Sequence, residues 1–194
     1  MRARVLSTIA AAMFSAALSQ AAPITYIFTG TASGELAGTP FSNVLLTVTA
    51  PGDTSAIISF NGAFFNTVPV ASVNIPGLGS FNFLGSAYVF DHPGNGVVGF
   101  GIGGDIIQHY DNPYLTYDLA SAFGPNLYPP DNPSVPNWTN IGTSGGLMTV
   151  RAMDNNSFQA VTTAAPEPSS LAFLLLGAVC CTVRARYERI RNSS

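Results

Sequence analysis

Hydrophobic and polar residues alternate with a period of two in many short segments in the middle of the chain. This is the period of a β-strand that buries one face, because successive side chains point to opposite sides of a strand. Glycine, proline and asparagine separate the segments at intervals of about 8–12 residues, a spacing typical of all-β folds. The clearest alternating segments are Ile24–Phe28, Val44–Val48, Ile57–Phe60, Phe81–Phe83, Tyr88–Phe90 and Val98–Ile102. The pattern predicts an antiparallel β-sandwich, jelly-roll-like, for residues 22–163, with no amphipathic helix of about ten residues.

Two parts of this body carry more specific strand predictions. Val68–Ile75 contains Pro69, which cannot donate a ladder hydrogen bond, so an edge strand or a bent strand is predicted. Near the end of the body, Leu147–Met153 and Phe158–Thr163 are separated by the turn-forming residues Asp154–Ser157. Turn residues between two alternating segments predict a β-hairpin.

The first residues have the pattern of a secretory signal peptide. Arg2 and Arg4 precede the apolar run Val5–Leu18, and small residues follow that run. Cleavage is expected after Ala21 or Ala22. Cleavage after Ala21 is preferred, because cleavage after Ala22 would leave a proline as the first residue of the mature chain. We therefore expect this segment to direct export, with an uncleaved anchor helix as the alternative.

The end of the chain combines a Pro-Glu-Pro stop, an apolar segment and a group of arginines. They are Pro166, Glu167 and Pro168, then residues 169–183, then Arg184, Arg186, Arg189 and Arg191. The thirteen uncharged residues Leu171–Val183 cover ~20 Å as a helix. Spanning a bilayer core of ~30 Å requires the helix to begin at Ser169 and the arginines to snorkel. Because arginines stay on the cytoplasmic side, the body is expected outside. A buried core helix is the alternative.

This ending, "PEP" followed by "SSLAFLLLGAVCCTV" and "RARYERIR", resembles the PEP-CTERM sorting signal of Gram-negative bacteria. The resemblance implies that an exosortase, a membrane-embedded cysteine protease-transpeptidase, recognises and removes the tail. It also implies a surface or extracellular protein, in organisms that often make exopolysaccharide and biofilm matrix. Ala185, Tyr187 and Glu188 space the arginines here, which departs from a contiguous cluster.

The opening of the body, "ITYIFTGTASGELAGTPFSNVLLTVTAPGDTSAI", is also similar to the starts of small PEP-CTERM proteins. Those proteins have no assigned biochemical function. The similarity therefore implies a β-rich fold and brings no activity with it.

Positive charge is confined almost entirely to the two ends of the chain. The sequence has no lysine. Between Pro23 and Ala165 it contains one arginine, Arg151, and eight aspartates and glutamates. The body therefore has a formal charge of −7, which excludes a nucleic-acid-binding role because phosphates repel carboxylates. Both cysteines, Cys180 and Cys181, lie in the apolar tail, so no disulfide can stabilise the body.

Residues 111–146 interrupt the strand pattern with a long stretch rich in proline, asparagine and glycine. Long loops within compact domains are often binding elements. The aromatic residues of this stretch are Tyr114, Tyr117, Phe123, Tyr128 and Trp138. Two interpretations stay open: the rings pin the loop to the sandwich, or Tyr114, Tyr117, Tyr128 and Trp138 form a binding platform.

No segment carries the local signature of an enzyme. His92 follows Asp91, but neither a nucleophile elbow nor a cysteine of the body accompanies them. His109 with Asp105 and Asp111 is the best combination for zinc, yet it lacks the ligand spacing of known zinc sites.

Calcium ligands are available in two turn-rich segments. Asp111, Asp118 and Asp154 could supply the oxygen ligands that calcium prefers, although the EF-hand spacing is absent. The alternative is that these aspartates form turns. Asn137 and Asn155 begin glycosylation sequons, a pattern short enough to occur by chance.

These patterns predict a signal peptide at 1–21, a β-sandwich at 22–163 and a sorting tail at 164–194. The expected protein is an exported, non-enzymatic cell-surface or matrix protein linked to exopolysaccharide and biofilm, without a cofactor. Its precursor is expected to be anchored in the inner membrane by the tail, with the body in the periplasm. Expected partners are the exosortase, the export machinery and extracellular polysaccharide. The alternatives are a carbohydrate-binding module that uses the loop at 111–146, and a polysaccharide hydrolase with two carboxylates ~5–9.5 Å apart.

Overall fold

The computed structural model describes residues 22–127 and 138–163. All of these residues belong to one compact unit. The predicted signal peptide and the predicted sorting tail, including its Pro-Glu-Pro motif and its arginines, lie outside the described residues. Among the residues that the structure describes, no helix has the length and apolar character needed to cross a membrane.

The described residues form twelve β-strands and three short 3₁₀ helices, with no α-helix. The strands are β1 Pro23–Leu36, β2 Thr39–Asp53, β3 Ile57–Phe60, β4 Ala63–Val68, β5 Ser72–Ile75, β6 Gly79–Asn82, β7 Ala87–His92, β8 Val97–Ile102, β9 Asp105–Tyr110, β10 Phe123–Leu127, β11 Ile141–Thr143 and β12 Gly146–Thr162. The 3₁₀ helices are Thr54–Ala56, Pro93–Asn95 and Asn112–Thr116. The all-β class predicted from the sequence is confirmed for these residues.

The strands form two antiparallel sheets. One contains seven strands in the order β10-β12-β1-β2-β5-β6, with β11 also paired to β12, and the other contains five in the order β3-β4-β7-β8-β9. Many strands lie beside their neighbour in sequence, as in β1–β2, β3–β4, β5–β6 and β7–β8–β9. This connectivity differs from the expected jelly roll, in which the chain crosses between sheets at most connections. Short connections keep consecutive strands in one sheet here.

Strand β1 shows how the alternating pattern produces a buried face. Ile24, Tyr26 and Phe28 are 0–1% exposed, whereas the intervening residues are partly exposed. The strand lies between β12 and β2, so both of its edges are hydrogen bonded. Its inward side chains reach the five-stranded sheet, where Phe28 packs on Phe100 of β8 with ring centroids 6.1 Å apart. Side chains of both sheets therefore share one core.

The predicted hairpin near the end of the body is wrong. Residues 146–162 form the single long strand β12, which pairs with β1 along most of its length. The register shifts where Thr29 faces Ser157 and Thr31 faces Asp154, so the turn-forming residues lie in a β-bulge. Asn155 has a φ of 51° there, in the left-handed region that asparagine tolerates. Pairing partners on both sides keep the chain extended through residues that otherwise favour a turn.

The single strand predicted for residues 68–75, at a sheet edge or bent, is also wrong. Val68 ends β4 in the five-stranded sheet, and Ser72 begins β5 in the seven-stranded sheet. Pro69 therefore marks a corner between the two sheets. Proline suits this position because it has no N–H to leave without a partner where the ladder stops.

Candidate functional site

Three of the four aromatic residues expected to form a binding platform lie in the core. Tyr114, Tyr117 and Trp138 are 0%, 4% and 1% exposed, respectively. Phe123 of β10 packs against both tyrosines, with its ring centroid 5.3 Å from that of Tyr114 and 4.7 Å from that of Tyr117. The rings turn inward because large aromatic side chains gain the most from burial. They do not form an exposed platform, and Tyr128 lies outside the described residues.

The three candidate calcium ligands do not come together. Asp111 accepts hydrogen bonds from the next backbone N–H at 2.7 Å and from Asn126 Nδ2 at 2.9 Å. Asp118 accepts one from the backbone N–H two residues later at 3.0 Å, and Asp154 is exposed in the bulge of β12. Such bonds are those of turn-forming aspartates. Within residues 22–127 and 138–163, no three His, Cys, Asp or Glu side chains are grouped closely enough to hold a metal ion.

The zinc combination is divided between the two faces of one strand. His109 points into the core and packs edge-on against Phe28, with ring centroids 5.7 Å apart. Burial lowers the pKa of the His109 imidazole to about 4, so the ring is neutral at physiological pH. Asp105 faces the other way because the pairing of β8 with β9 shifts register between Phe100 and Gly101.

Asp91 is an acidic side chain inside the core. It lies on β7 opposite Phe64 and Val98 and is fully buried. Neither carboxyl oxygen has a hydrogen-bond partner among the described residues. Burial raises the pKa of this carboxyl to about 8, and the charge of Asp118 adds to the shift. Asp91 is therefore mostly protonated at neutral pH, and it takes no part in an exposed site.

The outer face of the five-stranded sheet, turned away from the core, carries a second group of rings. Residues directly opposite each other on antiparallel strands share a face. Phe65 of β4 lies opposite Phe90 of β7. Gly99 of β8 lies opposite Phe90 of β7 on one side and opposite Gln108 of β9 on the other. Phe90 is only 1% exposed, yet it does not belong to the core between the sheets. Other side chains on the outer face must therefore cover it.

Those covering side chains are aromatic. The ring centroid of Phe65 lies 6.3 Å from that of Tyr88, 6.4 Å from that of Phe90 and 6.0 Å from that of His92. Phe90 lies 6.0 Å from Tyr88 and 5.8 Å from His92. Tyr110 shares this side of the sheet, because it and His92 both lie opposite Val97. We name this surface the aromatic face: Phe65, Tyr88, Phe90, His92 and Tyr110, with Ile58 and Phe60 on the edge strand β3.

Two glycines of β8 make room for the rings. A Cβ atom at Gly99 would overlap the ring of Phe90, and one at Gly101 would overlap the ring of Tyr88. The rings of β7 therefore lie across β8 instead of standing away from the sheet. Glycine is required at both positions for this close approach.

Polar side chains border the rings along β9. The Tyr88 hydroxyl donates to Asp105 Oδ1 at 2.8 Å, and Gln108 Nε2 donates to Asp105 Oδ2 at 3.0 Å. The Tyr110 hydroxyl donates to Gln108 Oε1 at 2.7 Å. Burial, together with this bond to Asp105, raises the pKa of the Tyr88 phenol to about 12, so it stays protonated. We name Tyr88, Asp105, Gln108 and Tyr110 the polar row.

The aromatic face is open to solvent at its two ends. Ile58 and Phe60 are 61% and 64% exposed on one side, and Tyr110 is 40% exposed on the other. An open cavity of about 320 Å³ adjoins Tyr110; its other lining residues are Asn95, Gly96, Asp111, Asn112 and Leu115. The face thus combines exposed apolar surface, a polar border and a shallow depression.

Comparison of the chain with protein-family models, curated proteins and solved structures gives no match. The aromatic face offers apolar rings, and the polar row beside it offers hydrogen-bonding groups that include the carboxylate of Asp105.

The sequence contained part of this arrangement. Tyr88, Phe90 and His92 alternate in one strand, and Gly99 and Gly101 alternate in the next. Matching a row of rings to a row of glycines is a usable signal for rings that lie across a strand. The contribution of Phe65 had no such signal, since its pairing with Phe90 joins strands that are not consecutive.

Proposed function

We propose that this protein is an exported, non-enzymatic β-sandwich protein that binds extracellular polysaccharide through its aromatic face. In this proposal residues 1–21 direct export, and an exosortase recognises the tail at 164–194. The mature protein then lies at the cell surface or in the extracellular matrix. The sequence features at the two ends support this route, and the aromatic face supports the binding.

The observation that carries the binding proposal is the exposed part of the aromatic face, with Phe60 and Tyr110 on its two edge strands, beside the polar row. A sugar ring has apolar C–H faces and a polar rim of hydroxyl groups. An aromatic ring that lies along a sheet offers its flat side to such a C–H face, and adjacent polar side chains can bond the hydroxyls. Binding sites commonly pair apolar and aromatic surface with a few placed polar groups in this way.

A flat sheet face suits a polymer better than a small molecule. The exposed residues run from Phe60 on the edge strand β3 to Tyr110 on the opposite edge strand β9. Five strands at ~4.8 Å spacing make this surface ~20 Å wide, which accommodates several sugar units of one chain. A hydrolase would instead need two carboxylates across a groove. The described residues of the aromatic face and the polar row carry one carboxylate, that of Asp105.

Retention of the purified protein by immobilised polysaccharides tests this proposal. The informative variants are Phe60→Ser and Tyr110→Ala, because both side chains are exposed and lie outside the core. Each should weaken binding about 2–10-fold, the value of one aromatic contact. Leu45→Ser is the matched control, since Leu45 is 58% exposed on β2 of the other sheet. Equal binding by all three variants, or no retention of the unmodified protein, contradicts the proposal.

A further inference from the structure

The polar row is rich in hydrogen-bond acceptors. Both of its hydroxyl hydrogens are already donated within the row, one to Asp105 and one to Gln108. One Nε2 hydrogen of Gln108 is used as well, which leaves a single side-chain N–H of that amide. The free capacity consists mainly of lone pairs on Asp105 and on the phenol oxygens. A ligand that fits this row must therefore donate hydrogen bonds.

The charge of the surroundings points the same way. Of the described residues, Arg151 is the one arginine, and it is paired at 2.9 Å with Glu35 on β1 of the other sheet. Asp105 brings a carboxylate to the polar row, and Asp111 brings another to the adjoining cavity. A ligand with carboxylate or sulfate groups would meet acceptors and negative charge there, and no arginine or lysine of residues 22–127 and 138–163 lies on this sheet to receive it.

We propose that the polysaccharide bound at the aromatic face carries free amino groups, as in a partly deacetylated hexosamine polymer. An ammonium group beside Asp105 donates to the carboxylate while the sugar ring rests on the aromatic rings. Such charge-assisted hydrogen bonds are stronger than those between neutral groups. This inference rests on the proposed polysaccharide binding and narrows its substrate class.

The test compares two hexamers of the same length, β-1,4-linked glucosamine and its fully N-acetylated counterpart, by titration calorimetry with the full-length protein. The amine form should bind about tenfold more tightly in dilute buffer, and the preference should shrink in ~0.5 M salt. Asp105→Asn should abolish the preference while the N-acetylated hexamer still binds. The asparagine Oδ1 can still accept the hydrogen bond of Tyr88, whereas the bond from Gln108 Nε2 is lost. Because both side chains are only partly buried, the fold is expected to persist, which far-UV circular dichroism checks.

Asp154→Asn is the control for general attraction between an acidic protein and a cation, because Asp154 is exposed on β12, in the other sheet. If it lowers the preference as much as Asp105→Asn does, bulk charge explains the result and the inference fails. Equal binding of the two hexamers overturns the inference but leaves the proposed function standing. Binding of neither form counts against both. Dimerisation that Phe60→Ser removes, seen by light scattering without sugar, would assign the face to a second copy and overturn the inference.

Discussion

Asp91 makes a specific prediction about how stability depends on pH. Folded, this carboxyl keeps its proton up to a pKa of about 8, whereas in the unfolded chain it loses the proton near ~3.9. Between these values the folded state binds one proton more than the unfolded state. The free energy of unfolding therefore falls by ~1.4 kcal/mol for each unit that the pH rises.

His109 has the opposite effect over part of this range. Burial lowers the pKa of its imidazole to about 4, against ~6.5 in the unfolded chain. Between these values the unfolded state binds the additional proton, so stability rises with pH. The slopes due to Asp91 and His109 cancel between about pH 4 and 6.5. From pH 6.5 to 8 the slope of Asp91 dominates, and the protein should lose ~1 kcal/mol of stability, because unfolded His109 is still half protonated at pH 6.5 and folded Asp91 is half ionised at pH 8.

The substitution Asp91→Asn removes the titrating carboxyl and keeps nearly the same shape. The variant should become more stable relative to the unmodified protein by ~2 kcal/mol as the pH rises from 6.5 to 8. This change between two pH values does not depend on the fixed cost of burying the amide. Urea unfolding of the purified protein measures it, with the fluorescence of Trp138, the one tryptophan of the chain and 1% exposed, as the signal.

Asp154→Asn is the matched control, because Asp154 is an exposed aspartate on the bulge of β12. It should leave the pH profile unchanged. If Asp91→Asn keeps the downward slope of the unmodified protein between pH 6.5 and 8, the buried carboxyl is not its source. A rise in the stability of the unmodified protein over that interval would refute the reasoning outright.

Three further predictions concern the aromatic face and the tail. Gly101→Ala should lower the free energy of unfolding by ~1–3 kcal/mol in urea, because its Cβ overlaps the ring of Tyr88, whereas Gly104→Ala, whose Cβ meets no atom within 4 Å, should cost far less. Replacing residues 166–168 by three alanines should leave the tail attached, and mass spectrometry of the exported variant would detect the additional mass of the tail. Equal removal of the tail from the variant and from the unmodified protein would count against the sorting motif. In cells without exosortase, a reporter active only in the periplasm and fused after the last residue should be silent, and should become active when the four arginines at 184–191 are changed to serine. A strong periplasmic signal from the unchanged tail would contradict the orientation.

The strands were largely predictable from the sequence because alternation is a local property. Ile24, Tyr26 and Phe28 are buried on one side of β1, as their spacing predicts. The turn propensity of Asp154–Ser157 was misleading, since the same residues that form a hairpin also suit a bulge. Which of the two forms depends on the flanking strands, and β12 is held extended by its long ladder with β1.

The position of the aromatic residues depended on tertiary structure. Tyr114 and Trp138 lie in a stretch whose composition is that of a polar loop. Both are buried in the core, because neighbouring elements leave space for them there. The sequence showed only that aromatic residues were present in this stretch. Whether their side chains are buried depends on all the elements that pack around them.

The sequence by itself determined the strand content of the body, its negative charge and the absence of lysine throughout. Only the tertiary structure decided that Phe65, Tyr88 and Phe90 meet on one surface. Their meeting depends on which strands are neighbours and on the register in which they pair. Strand β4 pairs with β7, for example, although β5 and β6 lie between them in the sequence. A shift of one residue in that register would turn the rings to the other side of the sheet. Long-range pairing is set by the packing of the whole core, which no short stretch of sequence encodes.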